Sequence, residues 1–184
     1  MSAFLFAFLA VLVCGIGARD QSLVAGVTRV QGQRPLLLLT ALAAAAATTA
    51  FAGWAATRLV ADMVPAARIL FAAMALVLAG LEILVLRAPR QPEEPTGSLF
   101  AAFVVLAAQQ ITDGARFLIL AIAVATAMPL TAALGGGMAS MAMVSAGWLR
   151  PDLVAARPVR LVRRLAGTVL VLIGLWLGLA QLIG

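Results

Sequence analysis

Long uninterrupted runs of apolar residues, separated by short polar connections, dominate the pattern along this chain. The runs cover residues 3–18, 35–57, 66–86, 98–112, 117–149 and 165–183. A helix needs about 20 apolar residues to cross about 30 Å of hydrocarbon, so runs of this kind predict membrane-spanning helices. The predicted fold class is an all-α membrane protein with six transmembrane helices.

The composition supports the same class. Of 184 residues, 64% are hydrophobic and only 11% are charged, whereas soluble domains contain about 25% charged residues. Open sheets would leave backbone groups unsatisfied in lipid, and a barrel would show alternating strands of about 10 residues. The net charge of +6 comes from arginines in the connections. The expected partner is therefore the lipid bilayer, and no nucleic-acid partner is predicted.

The second half of the chain repeats features of the first half. The sequence Ala-Gly-Trp at 52–54 recurs at 146–148, and Asp20 has its counterpart in Asp113. Each copy would hold three spans, an odd number, so the second copy must enter the membrane from the opposite side. Inverted repeats of this kind are typical of secondary transporters, whose sites lie near the midplane where the repeats meet.

The repeat also defines the predicted domains. We expect one three-helix repeat at residues 1–88 and a second at 98–184. Residues 89–97 contain three prolines and are polar, which prevents a continuous helix. This segment is predicted to be a Pro-rich cytoplasmic linker.

The arginines predict the orientation. Only Arg58 and Arg68 are expected on one side of the membrane. The other side is expected to carry Arg29, Arg34, Arg87, Arg90, Arg150, Arg157, Arg160, Arg163 and Arg164. Because cytoplasmic loops are enriched in positive residues, we place the arginine-rich side in the cytoplasm. The prediction is a multi-pass protein of the cell inner membrane with both termini outside the cytoplasm.

Two aspartates interrupt the apolar runs. Residues 98–128 span 31 positions, about 46 Å as one straight helix, which exceeds the hydrocarbon thickness. We therefore expect a break within 109–116, around Asp113. The same design is expected in residues 3–30, around Gly15, Gly17 and Asp20. Carboxylates inside a membrane cost roughly 2.5–3.5 kcal/mol on insertion scales, so they are functional candidates.

The chemistry of these positions favours a hard cation. Broken helices expose carbonyl groups and helix ends that coordinate ions. Oxygen ligands without any His suit Mn²⁺, Ca²⁺ or Mg²⁺. A carboxyl group removed from water favours its neutral form, so an entering cation would displace a proton. This is the physical basis for cation–proton exchange through Asp20 and Asp113.

A purely structural interpretation stands beside this one. Arg19 adjoins the first aspartate, and Arg116 lies one helical turn from the second. Each arginine could neutralise its neighbour and serve only packing or insertion. Glu82, towards the end of the third run, is expected to be an interfacial residue near Arg87.

Small residues predict the close helix contacts. Gly135, Gly136 and Gly137, with Ser140 one turn later, form a small-residue face. The alanine tract at 41–47 is its counterpart in the first half. Both are expected to be helix-packing surfaces.

The two Asp-centred segments carry a family resemblance. The first reads Gly-Ala-Arg-Asp-Gln-Ser at 17–22, and the second reads Gln-Ile-Thr-Asp-Gly-Ala at 110–115. Two three-span repeats, each with such a segment in its first helix, resemble the transmembrane protein 165 family. The resemblance implies Mn²⁺/Ca²⁺ transport in exchange for protons. The motif of that family is Glu-x-Gly-Asp-Lys/Arg-Ser/Thr, once per repeat.

The resemblance also implies a set of ligands. The first copy keeps Asp20 and Ser22, and the second keeps Asp113, with Gln110 where the family has Glu. The implied metal ligands are therefore Asp20, Ser22 and Asp113. We add the hypothesis that Gln110 supplies a neutral oxygen.

Three functions remain open at this point. The first is a divalent-cation transporter, and the second is a non-transporting structural subunit of a larger membrane complex that has lost the ion site. The third is export of a small organic solute along a pathway lined by Arg19 and Arg116. A membrane-protein partner or a homo-oligomer is compatible with each. We expect no enzymatic activity, since no nucleophile–base pair or phosphate loop is recognisable, and no cofactor besides a transported cation.

Overall fold

The computed structural model describes residues 2–86 and 98–183. In these two stretches the chain forms eight α-helices, one short 3₁₀ helix and no strand. The helices are α1 (Ser2–Cys14), α2 (Arg19–Gln31), α3 (Pro35–Asp62), α4 (Pro65–Val85), α5 (Leu99–Ile111), α6 (Gly114–Thr126), α7 (Pro129–Leu149) and α8 (Arg157–Ile183), with the 3₁₀ helix Pro151–Ala155 before α8. The predicted linker at 89–97, Arg87 and Arg90 lie outside the described residues.

Four helices, α3, α4, α7 and α8, are long and apolar enough to cross a membrane. Two further candidates are bent pairs, with α1 and α2 at 53° and α5 and α6 at 51°. The structure therefore has four to six candidate spans. Many large apolar side chains are exposed, such as Phe100, Leu130 and Trp176. An apolar outer surface of this kind is what lipid requires and water disfavours.

The apolar run at 117–149 contains parts of two helices, in keeping with the expectation that one broken helix covers residues 98–128. The helix α6 ends at Thr126, and α7 begins at Pro129. Pro129 has no backbone N–H and cannot continue the preceding helix. Ala127 turns the chain with a left-handed φ of 53°. The second half of a broken pair and the next full helix had merged into one apolar run.

The first expected break is confirmed between Cys14 and Arg19, where α1 ends and α2 begins. Gly17 has a φ of +72° there, a conformation that a residue with a Cβ adopts only with strain. The Gly17 amide donates a hydrogen bond to Gln21 Oε1 at 2.7 Å. A side chain thus satisfies a backbone group that the interrupted helix leaves free.

The second expected break is confirmed between Ile111 and Gly114. Asp113 has extended backbone angles, φ −86° and ψ 147°, and its side chain makes no capping hydrogen bond. Its carbonyl oxygen accepts the first bonds of α6, from the amides of Arg116 at 3.0 Å and Phe117 at 3.3 Å. The break therefore begins a new helix while leaving the Asp113 carboxylate available to the interior.

Several helix contacts between the two halves are reciprocal, although the close packing of α4 on α6 has no comparable counterpart between α8 and α2. The helix α1 packs on α7 as α5 packs on α3, and α2 contacts α7 as α6 contacts α3. A further reciprocal pair is α1 with α6 and α5 with α2. The helices α3 and α7 pack on each other, as do α4 and α8. Each half therefore completes the packing of the other.

One end of the bundle gathers several arginines. Gln33 Nε2 donates to the carbonyl oxygens of Trp148 at 3.3 Å and Leu149 at 3.2 Å. Arg29 forms an ion pair with Asp152 at 3.5 Å. These contacts bring the end of α2 beside the end of α7 and the start of α8. We call this the arginine-rich end; it carries Arg29, Arg34, Arg150, Arg160 and Arg164.

Three consecutive glycines in α7 each pack closely against a different helix. A Cβ on Gly135 would overlap the backbone of Phe4 in α1, and one on Gly136 would overlap Ile119 in α6. A Cβ on Gly137 would lie 2.9 Å from the Thr49 side chain in α3. The predicted role of this small-residue face in helix packing is confirmed.

The pair α4 and α8 is equally close. A Cβ on Gly80 would lie 2.6 Å from the Gly167 carbonyl oxygen, and one on Gly174 would lie 2.7 Å from the Ala73 carbonyl oxygen. These neighbours are backbone atoms, which cannot move aside without shifting a whole helix. Small residues therefore set the distance between these helices.

We predict that Gly80→Ala destabilises the protein by about 1–3 kcal/mol, the usual cost of overpacking a close contact. Gly178→Ala on α8 is the matched control, because its Cβ would meet only Ala73 Cβ at an ordinary 3.6 Å. Thermal unfolding of the purified protein in detergent, followed by circular dichroism, measures both. Equal melting temperatures for the two variants would contradict this account of the α4–α8 contact.

Candidate functional site

Six polar side chains meet in the interior where the two broken pairs approach α3 and α7. Each is at most 4% exposed. We call this group the polar centre; its members are Asp20, Thr48, Gln110, Asp113, Arg116 and Ser140. Buried polar side chains need internal partners, so their hydrogen bonds define the site.

A continuous chain of contacts runs through the polar centre. Gln110 Nε2 donates to Asp20 Oδ2 at 3.1 Å. The Thr48 hydroxyl lies 3.1 Å from Gln110 Oε1 and accepts from Arg116 Nη2 at 2.7 Å. Arg116 Nη1 donates to Ser140 Oγ at 3.0 Å. An anionic group on α2 is thus connected to a cationic group on α6 through side chains of α5 and α3.

Each aspartate lies at the start of the second half of a broken pair. Asp20 is in the first turn of α2, and its Oδ1 accepts from the Gln21 amide at 2.6 Å. Asp113 immediately precedes α6. Helix N-termini stabilise negative charge. The N-termini of α2 and α6 at the two breaks therefore provide similar, favourable positions for the two carboxylates.

The Asp113 carboxylate retains a free position. Its Oδ2 is buried and has no hydrogen-bond partner among the described residues. The group is close enough to Asp20, Glu82 and Arg116 to interact with all three electrostatically. Leaving a buried carboxylate oxygen unpaired is costly. This oxygen is therefore the position in the polar centre best suited to receive a proton or a cation.

Direct pairing of each aspartate with its neighbouring arginine is wrong. Arg19 Nε lies 2.8 Å from Glu82 Oε1, an ion pair at contact distance although the N–H does not point at the oxygen. Arg116 binds hydroxyl groups instead. Within residues 2–86 and 98–183, neither Asp20 nor Asp113 has an ion-pair partner within 4 Å.

Glu82 is a buried member of the neighbourhood, whereas Arg87, near which we expected it, lies outside the described residues. Glu82 is 6% exposed, and its Oε2 accepts from the Gly114 amide at 3.3 Å. Its Oε1 lies 2.8 Å from Arg19 and 3.8 Å from Arg163. The break before α6 brings these groups to α4. The available signal was an acidic residue inside an otherwise apolar run.

Ser22 and Gln110 take up specific positions. Ser22 is half-buried, and its hydroxyl lies 3.5 Å from the Gly17 carbonyl oxygen. Gln110 presents its amide nitrogen to Asp20 and its oxygen to Thr48, an assignment that follows from the hydrogen-bond network. In the described part of the chain, no three His, Cys, Asp or Glu side chains are grouped to hold a metal ion. A ligand role for either residue stays a prediction.

A groove of about 710 Å³ lies between α3 and α7. Its lining is mostly apolar and includes Thr49 and Gly137 at one end and Arg58 at the other. Arg58 lies over the Trp54 ring, 5.9 Å from its centroid. The groove reaches Thr49, next in sequence to Thr48 of the polar centre, but no predicted metal ligand lines it.

Comparisons with known proteins give no match. No family model matches the chain, and no curated protein or solved structure is significantly similar to it. The resemblance to the transmembrane protein 165 family is thus carried by the residues at 17–22 and 110–115 alone.

The polar centre makes a sharp prediction for two adjacent threonines. Thr48→Val removes the acceptor for Arg116 and is expected to destabilise the protein by about 1.5–3 kcal/mol, as for hydrogen bonds to charged groups. Thr49→Val is the matched control. Thr49 is also buried, at 6% exposure, but its hydroxyl has no hydrogen-bond partner in the part of the chain that the structure describes.

Urea unfolding in mild detergent, followed by tryptophan fluorescence, measures the two threonine variants. Thr49→Val should leave stability unchanged or raise it, because an unsatisfied buried hydroxyl is removed. A larger loss for Thr49→Val than for Thr48→Val would contradict the hydrogen-bond network described above.

Proposed function

We propose that this chain is a multi-pass secondary transporter of the cell inner membrane. It exchanges a divalent cation such as Mn²⁺ or Ca²⁺ for protons, and Asp20 and Asp113 hold the guest. One observation carries the proposal: two carboxylates at corresponding positions are buried, have no ion-pair partner among the described residues, and are close enough for their charges to interact. This is the activity that the resemblance to the transmembrane protein 165 family implies.

The proposal includes an inverted repeat of three spans per half. Its support is the reciprocal packing of the halves, in which α1 stands to α7 as α5 stands to α3. Exchanging the halves maps these contacts onto each other, as a two-fold axis between repeats would require, whereas the contact of α4 with α6 is not matched by α8 with α2. Sites in transporters of this design lie near the midplane, where broken helices of the two repeats meet. The polar centre lies between two such breaks.

The donor chemistry favours a hard cation. Asp20 and Asp113 provide carboxylate oxygens, and the Gln110 amide would provide a neutral oxygen after rotation about its last side-chain bond. Carboxylate and amide oxygens are typical ligands of Ca²⁺, and Mn²⁺ prefers oxygen as well. In this proposal the entering cation displaces protons from this pair of carboxyl groups.

In this proposal the buried Arg116 lowers the affinity of the site for a cation but does not prevent binding. Its guanidinium group is held by Thr48 and Ser140 and makes no direct contact with either aspartate. Its positive charge nevertheless opposes a cation nearby. A transporter needs binding that is weak enough for release, so a positive charge at this distance is consistent with turnover.

A second candidate is a non-transporting subunit of a membrane complex. The observation that favours it is the groove between α3 and α7, whose apolar lining includes Ala46, Ala50 and Gly53. Small residues let a helix of another membrane protein approach closely. In that case the polar centre would only fix the fold.

The transport proposal predicts that purified protein in proteoliposomes moves protons when Mn²⁺ or Ca²⁺ is supplied on one side. Asp20→Asn and Asp113→Asn should each reduce this flux to background, because an amide keeps the shape but neither exchanges a proton nor provides the charge. A pH-sensitive dye inside the vesicles measures proton movement, and a metal-sensitive dye measures uptake.

Asp152→Asn is the control for the transport experiment. Asp152 is an exposed acid that pairs with Arg29 at the surface, so its flux should match that of the unchanged protein. Full flux in both Asp20→Asn and Asp113→Asn would rule out the proposed site.

The subunit alternative predicts stoichiometric co-purification of a second membrane protein in mild detergent. Ala50→Leu should disrupt this complex, since Ala50 is exposed and lines the groove. Ala47→Leu is the matched control, because Ala47 is exposed on the same helix and lies outside the lining of the groove. A single species on native mass spectrometry, together with metal-driven proton flux, would reject the alternative.

A further inference from the structure

Three charged side chains join the two helix breaks at one end of the polar centre. They are Arg19 at the start of α2, Glu82 near the end of α4, and Arg163 in α8. We call them the charged latch. Their side chains are 15%, 4% and 11% exposed, respectively, so they form a layer between the polar centre and the surface.

Arg19 belongs to the first half of the chain but binds the break of the second half. Its Nη2 donates to the Thr112 carbonyl oxygen at 3.1 Å and to the Thr112 hydroxyl at 3.2 Å. The Gln109 carbonyl oxygen is 3.4 Å from the same nitrogen. A positive charge is favourable beside the carbonyl groups at the end of a helix. The guanidinium of Arg19 therefore holds the end of α5.

Arg163 makes the reverse connection. It belongs to the second half, and its Nη1 donates to the Gly17 carbonyl oxygen in the first break. Its Nε donates to the Ile83 carbonyl oxygen at 3.3 Å, and its Nη2 to that of Leu86 at 3.5 Å. Leu86 directly follows α4, and Arg163 lies in the second turn of α8, whose start is at the arginine-rich end, so the latch lies towards that end. Arg163 therefore ties α8 to both α4 and the first break.

Glu82 connects the two arginines. Its Oε1 lies 2.8 Å from Arg19 Nε and 3.8 Å from Arg163 Nη2. Its Oε2 accepts from the Gly114 amide, the first residue of α6, at 3.3 Å. One carboxylate thus holds α2, α8 and the start of α6 on α4. Loss of one partner from such a buried set leaves uncompensated charges.

We propose that Arg19, Glu82 and Arg163 form a latch that closes the polar centre at the arginine-rich end, and that this latch opens when the guest is exchanged at that end. The exchange step rests on the proposed function, whereas the closure does not. The two guanidinium groups occupy carbonyl oxygens at both breaks, which are the atoms that broken helices offer to ions. Opening the latch therefore uncovers the site and frees these oxygens together.

The single cysteine of the chain provides a built-in reporter. Cys14 ends α1 beside the first break and is 8% exposed. It packs in one apolar cluster with Ala79 and Ile83, on the helix that carries Glu82. Because Arg163 of the latch binds the Gly17 carbonyl oxygen, three residues after Cys14, opening the latch should expose the Cys14 thiol.

The experiment measures the rate at which N-ethylmaleimide modifies Cys14 in the full-length protein in detergent, followed by intact mass spectrometry. The unchanged protein should react slowly. Glu82→Gln should react about tenfold faster or more, because both arginines lose their charged partner. Glu82→Asp, which keeps the charge, should react at an intermediate rate. Asp152→Asn removes an exposed ion pair at the same end and should leave the rate unchanged.

A second variant keeps the proposal falsifiable when Glu82→Gln folds poorly. Arg163→Gln removes the partly exposed arginine and should also raise the rate of Cys14 modification. The melting temperature of every variant is measured in parallel. An unchanged rate in a folded Glu82→Gln variant, or in Arg163→Gln when Glu82→Gln does not fold, would overturn the latch. A rate that rises equally in Asp152→Asn, or only in step with the loss of melting temperature, would overturn it as well.

The thiol assay contains no transported ion, so its outcome is separate from that of the transport assay. Fast modification of Glu82→Gln would support the latch, and the absence of metal-driven flux in the unchanged protein would reject the exchanger. Both results can occur together. Metal-driven flux that depends on Asp20 and Asp113, with slow modification of Glu82→Gln, would support the exchanger and reject the latch.

Discussion

The hydrogen bond from the Gln110 amide to the Asp20 carboxylate joins one broken helix pair to the other in the interior. It belongs to a set in which buried charges and interrupted backbone compensate each other. A straight helix satisfies its own N–H and C=O groups and offers nothing to a charge. At the breaks, the carbonyl groups of Gly17 and Thr112 accept hydrogen bonds from arginines, and the Gly114 amide donates to the Glu82 carboxylate. The breaks and the charges therefore require each other.

Close packing makes these contacts reachable. A Cβ on Gly114 would lie 3.2 Å from Glu82 Oε2, so the absence of a side chain lets the carboxylate approach the start of α6. Gly147 plays a comparable part in α7, because a Cβ there would lie 2.8 Å from Gln21. The Gln21 amide nitrogen in turn donates to the Met143 carbonyl oxygen at 3.0 Å. Small residues bring the backbones together, and polar side chains then hold them.

Hydrophobic patterning predicted the helical class, and arithmetic on the length of the runs located both breaks near Asp20 and Asp113. It did not predict the partners of the charged groups. Spacing along one helix suggested Arg19 for Asp20, whereas Arg19 pairs with Glu82 on another helix. Such contacts depend on how a bent helix is rotated against its neighbours, which local spacing does not specify. Within the run at 117–149, apolar residues continue across the turn before Pro129, so the proline and not hydropathy separates α6 from α7.

Charge balance links the polar centre and the latch to the proposed exchange. Three carboxylates and three guanidinium groups lie together in this part of the bundle, from Asp20, Glu82, Asp113, Arg19, Arg116 and Arg163. Together the six ionised groups carry no net charge, and each proton bound to an aspartate adds one positive charge. If two protons leave the aspartates as the cation enters, the buried charge stays constant. In the proposed transporter, exchange of two protons for one divalent cation would therefore leave the buried charge unchanged, whereas uptake of the cation alone would raise it by two.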